Sequence, residues 1–305
     1  MSLSIAQENR PLGIALLLVA MFTMTVMDVA VKWAVADYSI QQINFIRSIA
    51  AMVVLAPLVW NGGGLKAFYT KRPWVHVWRT FLILVISFSW FFALGQMKLA
   101  DIAAIVMVSP LLITALSGTL LGEQVGVRSW FAVGVGFFGM LIIVRPGTGV
   151  FNPVALLAVL TALGYALFVL SNRTNRNTET LAALTYYPLF GIFIFSGTLS
   201  PLDWTVPTLG GWSAMIFVGI CAGIAHLTLT LAFRYASPPV IAPLEYTGLI
   251  WAVLFGWALF NELPDRWTVL GMCLIAAAGI FVVYREASLG SAPNVVDAAK
   301  ADFPS

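Results

Sequence analysis

Residues 12–34 of the chain read LGIALLLVAMFTMTVMDVAVKWA, and the only charged side chains among them are Asp28 and Lys32. An α-helix of about 20 mostly apolar residues is long enough to cross the hydrocarbon core of a bilayer. The stretch also lacks the small-residue cleavage site that would end a signal peptide. It therefore predicts a transmembrane helix, and the rest of the chain repeats this pattern.

The composition of the whole chain indicates an integral membrane protein. It is 60% hydrophobic and 10% charged, and its mean hydropathy is +0.93. Soluble domains are about 45–50% apolar and about 25% charged. A fold in water could not bury this much apolar surface, so a bilayer is the solvent that fits. The net charge of +3 is small and the basic residues are scattered among loops, which argues against nucleic acid as a partner.

Apolar runs of about 18–23 residues recur along the chain, separated by short polar or Gly/Pro-rich breaks. The sequence therefore predicts an all-α polytopic membrane protein with about ten transmembrane helices. We place the spans at about residues 12–34, 39–60, 75–95, 99–121, 129–145, 153–171, 181–200, 211–233, 238–260 and 267–284. Residues 1–11 are predicted to precede the first span, and the polar residues 285–305 to form a disordered tail.

The Lys and Arg residues of the loops predict the orientation, because cytoplasmic loops carry an excess of them. If the N-terminus is cytoplasmic, that side holds eleven basic residues and the other side holds three. The eleven are Arg10, Lys66, Lys71, Arg72, Arg79, Arg128, Arg173, Arg176, Arg234, Arg285 and Lys300, and the three are Lys98, Arg145 and Arg266. We therefore expect both termini in the cytoplasm.

The two halves of the chain look like repeats of one five-span unit, at residues 12–145 and 153–284. Placing Gly122-Glu123 over Asn261-Glu262 aligns about thirty residues without a gap, and both halves then show the same order of spans, short loop and acidic end. Because five is an odd number, the second repeat must enter the membrane from the opposite side. Inverted repeats of this kind are a transporter architecture, with the site near the midplane between them.

Several short motifs resemble the drug/metabolite transporter (DMT) superfamily in its EamA-type branch. Besides the five-plus-five repeat, they are Phe45-Ile46-Arg47, Arg79 at the start of span three, Ser109-Pro110-Leu111, Leu121-Gly122-Glu123 and residues 261–265. The resemblance covers about residues 11–285 and is closest to bacterial members described as S-adenosylmethionine or riboflavin uptake carriers; other members export amino acids or their derivatives. It implies a multi-pass protein of the bacterial inner membrane that carries a small organic metabolite through a central cavity lined by both halves.

Four charged residues lie inside predicted spans: Asp28 and Lys32 in span one, Arg47 in span two and Glu245 in span nine. A charge at mid-depth in a bilayer is costly and usually faces a cavity or a partner. Asp28 and Lys32 have the spacing of an intrahelical ion pair, and Arg47 could then meet Asp28 or Glu245. We expect these residues to bind a polar group of the substrate or a proton. The structural alternative is a static ion pair, or a Lys32 side chain that reaches to the interface.

Prolines predict a break in two repeat-related spans, at Pro110 in span four and at Pro243 in span nine. A proline inside a helix leaves carbonyls unsatisfied and bends it, and broken helices build binding sites in transporters. Deep aromatic residues could stack on a planar substrate, and a mid-span histidine could titrate or hydrogen-bond it, with ordinary packing as the alternative for each. These residues are Trp90, Tyr165, Tyr246, Trp251 and His226.

The sequence shows no pattern for catalysis, a metal site or a cofactor. Cys221 and Cys273 each lie in an apolar run and predict neither a disulfide nor a metal site. The loops lack the cluster of His, Asp and Glu that a membrane-embedded enzyme would need. We therefore expect a secondary carrier, with protons as the first candidate coupling ion. An exporter of amino acids or related metabolites, a membrane enzyme and a channel are the alternatives, and the oligomeric state is not indicated.

Overall fold

The computed structural model describes residues 9–61, 64–122, 125–148, 151–175, 178–236, 240 and 242–290. Within these ranges all regular elements are helical, and ten segments are long and apolar enough to cross a membrane. The prediction of an all-α protein with ten spans is therefore confirmed. Since ten is an even number, the start of span one and the end of span ten lie on one face, which we call the termini face. The loops after odd-numbered spans form the opposite face.

Eight of the spans are single helices. Spans one to three are Arg10–Ala34, Ile40–Asn61 and Pro73–Gln96, and span five is Val127–Val144. Spans six to eight are Ala155–Asn175, Leu181–Leu199 and Leu209–Tyr235, and span ten is Arg266–Gly290. Span four consists of two helices, Leu99–Val106 and Ser109–Leu121, and span nine begins with the 3-10 turn Ala242–Tyr246 and continues as Thr247–Phe260. Two further 3-10 turns, Gly64–Phe68 and Ser200–Asp203, lie in or beside loops.

The ends of the helices are set by capping residues that the sequence places in the loops. Asn9, Thr180, Thr208 and Asp265 each accept a hydrogen bond from a backbone N–H in the first turn of the following helix. Short polar side chains at this position satisfy donors that have no partner within the helix. Span ten continues to Gly290, which is further than the predicted end at residue 284, and the rest of the predicted tail, residues 291–305, lies outside the described residues.

The two repeats end their fourth spans in the same way. Gly122 closes span four with φ 70° and Asn261 closes span nine with φ 55°, both in the left-handed region. These are the two residues that the sequence alignment places over each other, and Gly and Asn are the residue types that adopt this conformation at low cost. Ser39 and Thr180 form a second matching pair, because each precedes the second span of its repeat and donates to a backbone carbonyl of the other repeat.

The spans pack as an inverted repeat predicts. Span one packs against span eight, and its repeat mate, span six, packs against span three. Span two packs against span seven, span four against span nine, and span five against span ten, so each of these spans contacts its own counterpart in the other repeat. Close approach of spans two and eight requires Gly219, since a Cβ at this position would lie 2.3 Å from the Arg47 carbonyl oxygen. Each main contact between helices therefore has an equivalent when the two repeats are exchanged. Both repeats share the space between spans one to four and six to nine.

Candidate functional site

Asp28 and Trp90 begin the site on spans one and three. The Trp90 indole Nε1 donates to Asp28 Oδ1 over 2.9 Å. Both side chains are only partly buried. We assign them to the cavity that the inverted repeat predicts between the two halves.

Arg47 is fixed on span two by neutral groups. Its Nε donates to Asn44 Oδ1 at 2.8 Å, its Nη2 donates to Ser87 Oγ at 2.9 Å, and Ser87 Oγ itself donates to Asn44 Oδ1 at 2.7 Å. The guanidinium also lies over the Phe91 ring, 4.8 Å from its centroid. Asn44 and Ser87 were not among the predicted site residues. These neutral groups therefore orient the Arg47 guanidinium without neutralising its positive charge.

Arg47 lies close enough to Asp28 and His226 for its charge to act on both, although no ion pair within 4 Å links it to Asp28. His226 is an exposed residue of span eight. The structure therefore places Asp28, Arg47 and His226 near one another, and their role in binding a substrate or a proton stays a prediction.

The second repeat contributes Glu245 and two tyrosines to the candidate site. Glu245 lies in the 3-10 turn of span nine, and its charge interacts with the phenol groups of Tyr165 on span six and of the adjacent Tyr246. Tyr165 is 36% exposed, whereas Tyr246 is buried. Glu245 makes no hydrogen bond or ion pair with any residue that the structure describes.

Lys32 does not pair with Asp28, although the i, i+4 spacing favoured that pair. Its Nζ lies 2.8 and 2.9 Å from the two carboxylate oxygens of Glu262 and 2.6 Å from the Met97 carbonyl oxygen. The Leu99 N–H donates to the same carboxylate over 3.1 Å, and Lys32 Nζ lies 5.0 Å from the Phe260 ring centroid. We call this group of Lys32, Met97, Leu99 and Glu262 the latch. It joins the two repeats at the opposite face, one helical turn beyond Asp28.

The two broken spans face each other. Span four is interrupted at Met107 and Val108, directly before Ser109-Pro110, and span nine carries Pro243 in its 3-10 turn. The Met107 side chain lies beside Gly248, which follows Glu245 in the chain. A Cβ at Gly248 would lie 3.3 Å from Met107 Cε. The preceding prolines, Pro238 and Pro239, lie outside the described residues.

Trp251 is not part of this cavity cluster. It packs edge-on against Phe22 at 5.1 Å and beside Phe255 at 6.4 Å, in an apolar group between spans one and nine. A separate apolar groove of about 510 Å³ opens sideways between spans one, eight and nine, lined by residues such as Val29, Trp33 and Phe217. It contains none of the predicted polar site residues.

A further polar cluster at the termini face joins spans three and seven. His76 Nε2 lies 3.2 Å from Glu179 Oε2, and the His76 ring lies beside Tyr187 with 4.3 Å between centroids. Arg79 is buried, donates to the Leu184 carbonyl oxygen at 2.7 Å and lies over the Phe168 ring. These contacts hold the two repeats together outside the cavity. No group of three or more metal-ligating side chains occurs among the described residues.

Comparisons with known proteins agree with this architecture. A model of the EamA-like transporter family matches twice, at residues 11–145 and 152–285. An S-adenosylmethionine uptake transporter of Rickettsia prowazekii (strain Madrid E) is 26% identical, over 90% of this chain and 93% of its own. A riboflavin transporter of Rhizobium johnstonii is 30% identical, over 73% of this chain and 74% of its own. The pseudopaline exporter CntI of Pseudomonas aeruginosa is 28% identical, over 88% of this chain and 94% of its own. A solved structure with 18% identity matches with a TM-score of 0.66, over 93% of this chain and 100% of its own, and shows the same fold.

Proposed function

Because the chain belongs to the EamA-like transporter family, we propose that it is a secondary transporter that moves a small organic metabolite through the cavity between its two repeats. One observation carries this proposal. Polar side chains of spans one, two, three and eight lie near one another, and Glu245 of span nine lies near Tyr165 of span six, although most of these residues are far apart in sequence. Ionisable groups inside a membrane are costly and are retained where they serve function.

The first candidate substrates are S-adenosylmethionine and riboflavin. Relatives named for each of them cover most of this chain. Trp90 and Tyr165 offer rings for stacking on a purine or an isoalloxazine, and the carboxylates of Asp28 and Glu245 offer partners for charged or hydrogen-bonding groups. Export of an amino-acid derivative is the alternative, since an exporter is also among the relatives.

The arrangement supports alternating access by movement of the two inverted halves around a fixed site. The latch joins the two repeats at the opposite face, and we propose that access from that side needs Lys32 to separate from Glu262. Protons are our first candidate for the coupling ion, with Asp28 and Glu245 as the groups that would carry them. We propose that the chain lies in the inner membrane of a bacterial cell with both termini in the cytoplasm, which the excess of Lys and Arg in the loops of the termini face supports.

Counterflow in proteoliposomes tests this proposal. Vesicles containing the purified protein and loaded with unlabelled S-adenosylmethionine or riboflavin should accumulate the same labelled compound transiently, and protein-free vesicles should not. A carrier shows this trans-stimulation because its loaded site alternates between faces, whereas a pore only equilibrates the label. Equilibration without overshoot would identify a channel, and absence of flux for every candidate metabolite would contradict a transport function.

A further inference from the structure

The inverted repeats indicate which contacts between spans change during transport. If the second state arises when the two repeats exchange their conformations, a contact that has an equivalent in the other repeat is present in both states. A contact without an equivalent is present in only one of them. The main contacts between spans are symmetric, so the exceptions identify the parts that move.

Spans two and seven form a symmetric frame. They pack against each other, and hydrogen bonds at both faces join them to loops of the other repeat. At the opposite face, the Gln42 side-chain amide exchanges two hydrogen bonds with the backbone of Thr205, over 2.7 and 3.1 Å. At the termini face, Thr180 donates to the Ala67 carbonyl oxygen. Because both repeats make such contacts, we expect this frame to persist in both states.

The contact between spans one and three has no such equivalent. It lies toward the opposite face, where Trp90 donates to Asp28 and where a Cβ on Gly95 would lie 3.9 Å from Val35 Cβ. The corresponding pair, spans six and eight, would have to meet toward the termini face. Among the described residues of these two spans, no comparable packing contact occurs.

Equivalent positions of spans three and eight differ in burial in the same sense. Ser87 and His226 are 139 residues apart, as are Gly122 and Asn261, so the extended alignment of the repeats places them over each other. Ser87 is 4% exposed and lies one helical turn from Trp90, whereas His226 is exposed. Span eight is therefore uncovered at the position where span three is covered.

We propose that spans one and three separate and spans six and eight come together when the transporter changes state, and that the described structure is the state open toward the termini face between spans six and eight. The proposal rests on the transport function set out above. It also gives the Trp90–Asp28 hydrogen bond a role in the change of state. The bond is made only while spans one and three are in contact, so it stabilises this state relative to the other, and Asp28 loses its donor when the opposite face opens.

A disulfide between spans one and three tests the first part of the proposal. Val35→Cys and Gly95→Cys, in a Cys221→Ser, Cys273→Ser background, place two Cβ atoms 3.9 Å apart, within the range of about 3.5–4.5 Å that a disulfide needs. In proteoliposomes, the oxidised full-length protein should lose counterflow of S-adenosylmethionine or riboflavin, whichever the reduced protein transports, and reductant should restore it. Each single cysteine variant is a matched control that cannot form this cross-link and should keep counterflow after oxidation.

Spin labels test the second part without any need for flux. Thr174→Cys and Phe233→Cys, two exposed positions at the termini-face ends of spans six and eight, report the distance between these spans. Trp90→Phe removes the hydrogen bond between spans one and three, so the population with a short distance should rise about 10- to 100-fold. Labels at Trp60 and Leu181, at the termini-face ends of spans two and seven, are the control and should keep one distance.

Three results would overturn the proposal. They are counterflow that continues in fully cross-linked protein, a distance between spans six and eight that stays the same or lengthens in Trp90→Phe, and a change of equal size between spans two and seven. A reduced protein that transports neither metabolite contradicts the transport of these two compounds instead, while the spin-label distances still decide whether spans six and eight come together.

Discussion

At the scale of single residues, Trp90 decides how Asp28 presents its carboxylate. The indole N–H is the only side-chain donor that the described residues offer to Asp28. Trp90→Phe keeps an aromatic ring and removes this donor. A hydrogen bond to a charged group contributes about 1.5–3 kcal/mol, so we expect transport efficiency to fall about 10- to 100-fold while the protein still folds. Initial rates of counterflow over a range of substrate concentrations measure this loss.

The control for Trp90→Phe is Trp74→Phe, at the start of the same span. Trp74 is 80% exposed and makes no contact with the cavity residues. Its replacement should leave the transport rate within about twofold of the wild type, since substitutions at exposed positions usually have small effects. Equal transport by the wild type and by Trp90→Phe would show that the Trp90–Asp28 hydrogen bond has no part in the site.

Asp265 gives a pH dependence that can be worked out from its contacts. It lies in the loop before span ten, where a hydrogen bond from Arg145 lowers its pKa from 3.8 to about 2. A lowered pKa means that the ionised form stabilises the fold at all pH values above about 4, and that this contribution disappears as the pH falls toward 2. Asp265→Asn retains a good N-cap and removes only the charge. We expect its melting temperature to lie below that of the wild type by a constant amount from pH 7 to 4, and the gap to narrow below pH 4. A gap that does not change with pH would contradict this account.

At the scale of elements, the wall that holds Glu245 depends on one glycine of span ten. The hydroxyl of Tyr246 lies only 1.6 Å from the position of a Cβ on Gly279. Gly279→Ala must therefore displace Tyr246 and the turn that carries Glu245, and overpacking of this kind costs about 1–3 kcal/mol.

Gly134→Ala is the matched control, because nothing lies within 4 Å of its Cβ position. It should be neutral or slightly stabilising in thermal unfolding, by up to about 1 kcal/mol. Equal stability of Gly279→Ala and the wild type would contradict the packing argument.

The elements themselves were predictable because the bilayer imposes one length and one polarity on every span. The predicted spans differ from the observed helices mainly at their ends. Helix ends depend on individual caps, such as Asn261 in the left-handed conformation, and these are set by tertiary contacts as well as by local sequence. Spans four and nine depart from a plain helix, since span four consists of two helices and span nine contains the 3-10 turn Ala242–Tyr246.

The site was predictable where the signal was a charge in a span and not where it was a neutral polar group. Asp28, Arg47 and Glu245 stood out because a charge in an apolar run is rare. Asn44 and Ser87 did not, because such residues are common in transmembrane helices and only the fold shows that they hold Arg47. The partner of Lys32 was also hidden, since Glu262 lies 230 residues away and the nearer Asp28 had the favoured spacing.

At the scale of the whole molecule, the latch and the cavity are connected through span one. Lys32 and Asp28 are one turn apart on this helix, so movement that separates Lys32 from Glu262 also moves Asp28 relative to Trp90 and Arg47. Span one packs mainly on span eight of the other repeat, and span nine contributes both Glu245 and the helix that leads to Glu262. A substrate that contacts Glu245 therefore acts on the span that leads to Glu262 of the latch.

The latch should bias the protein toward the state that is closed at the opposite face. Glu262→Gln removes the ion pair, and coupling of about 1–3 kcal/mol then shifts the balance toward the open state by roughly 5- to 150-fold. Spin labels at Ala36 and Leu263, in a Cys221→Ser, Cys273→Ser background, report the distance between the ends of spans one and nine. We expect a short distance in the parent protein, a longer population in Glu262→Gln, and recovery of the short distance in the charge-reversed pair Lys32→Glu, Glu262→Lys. Arg145→Gln breaks a different ion pair on the same face and should leave the distance unchanged. An unchanged distance in Glu262→Gln would show that apolar packing alone closes this face.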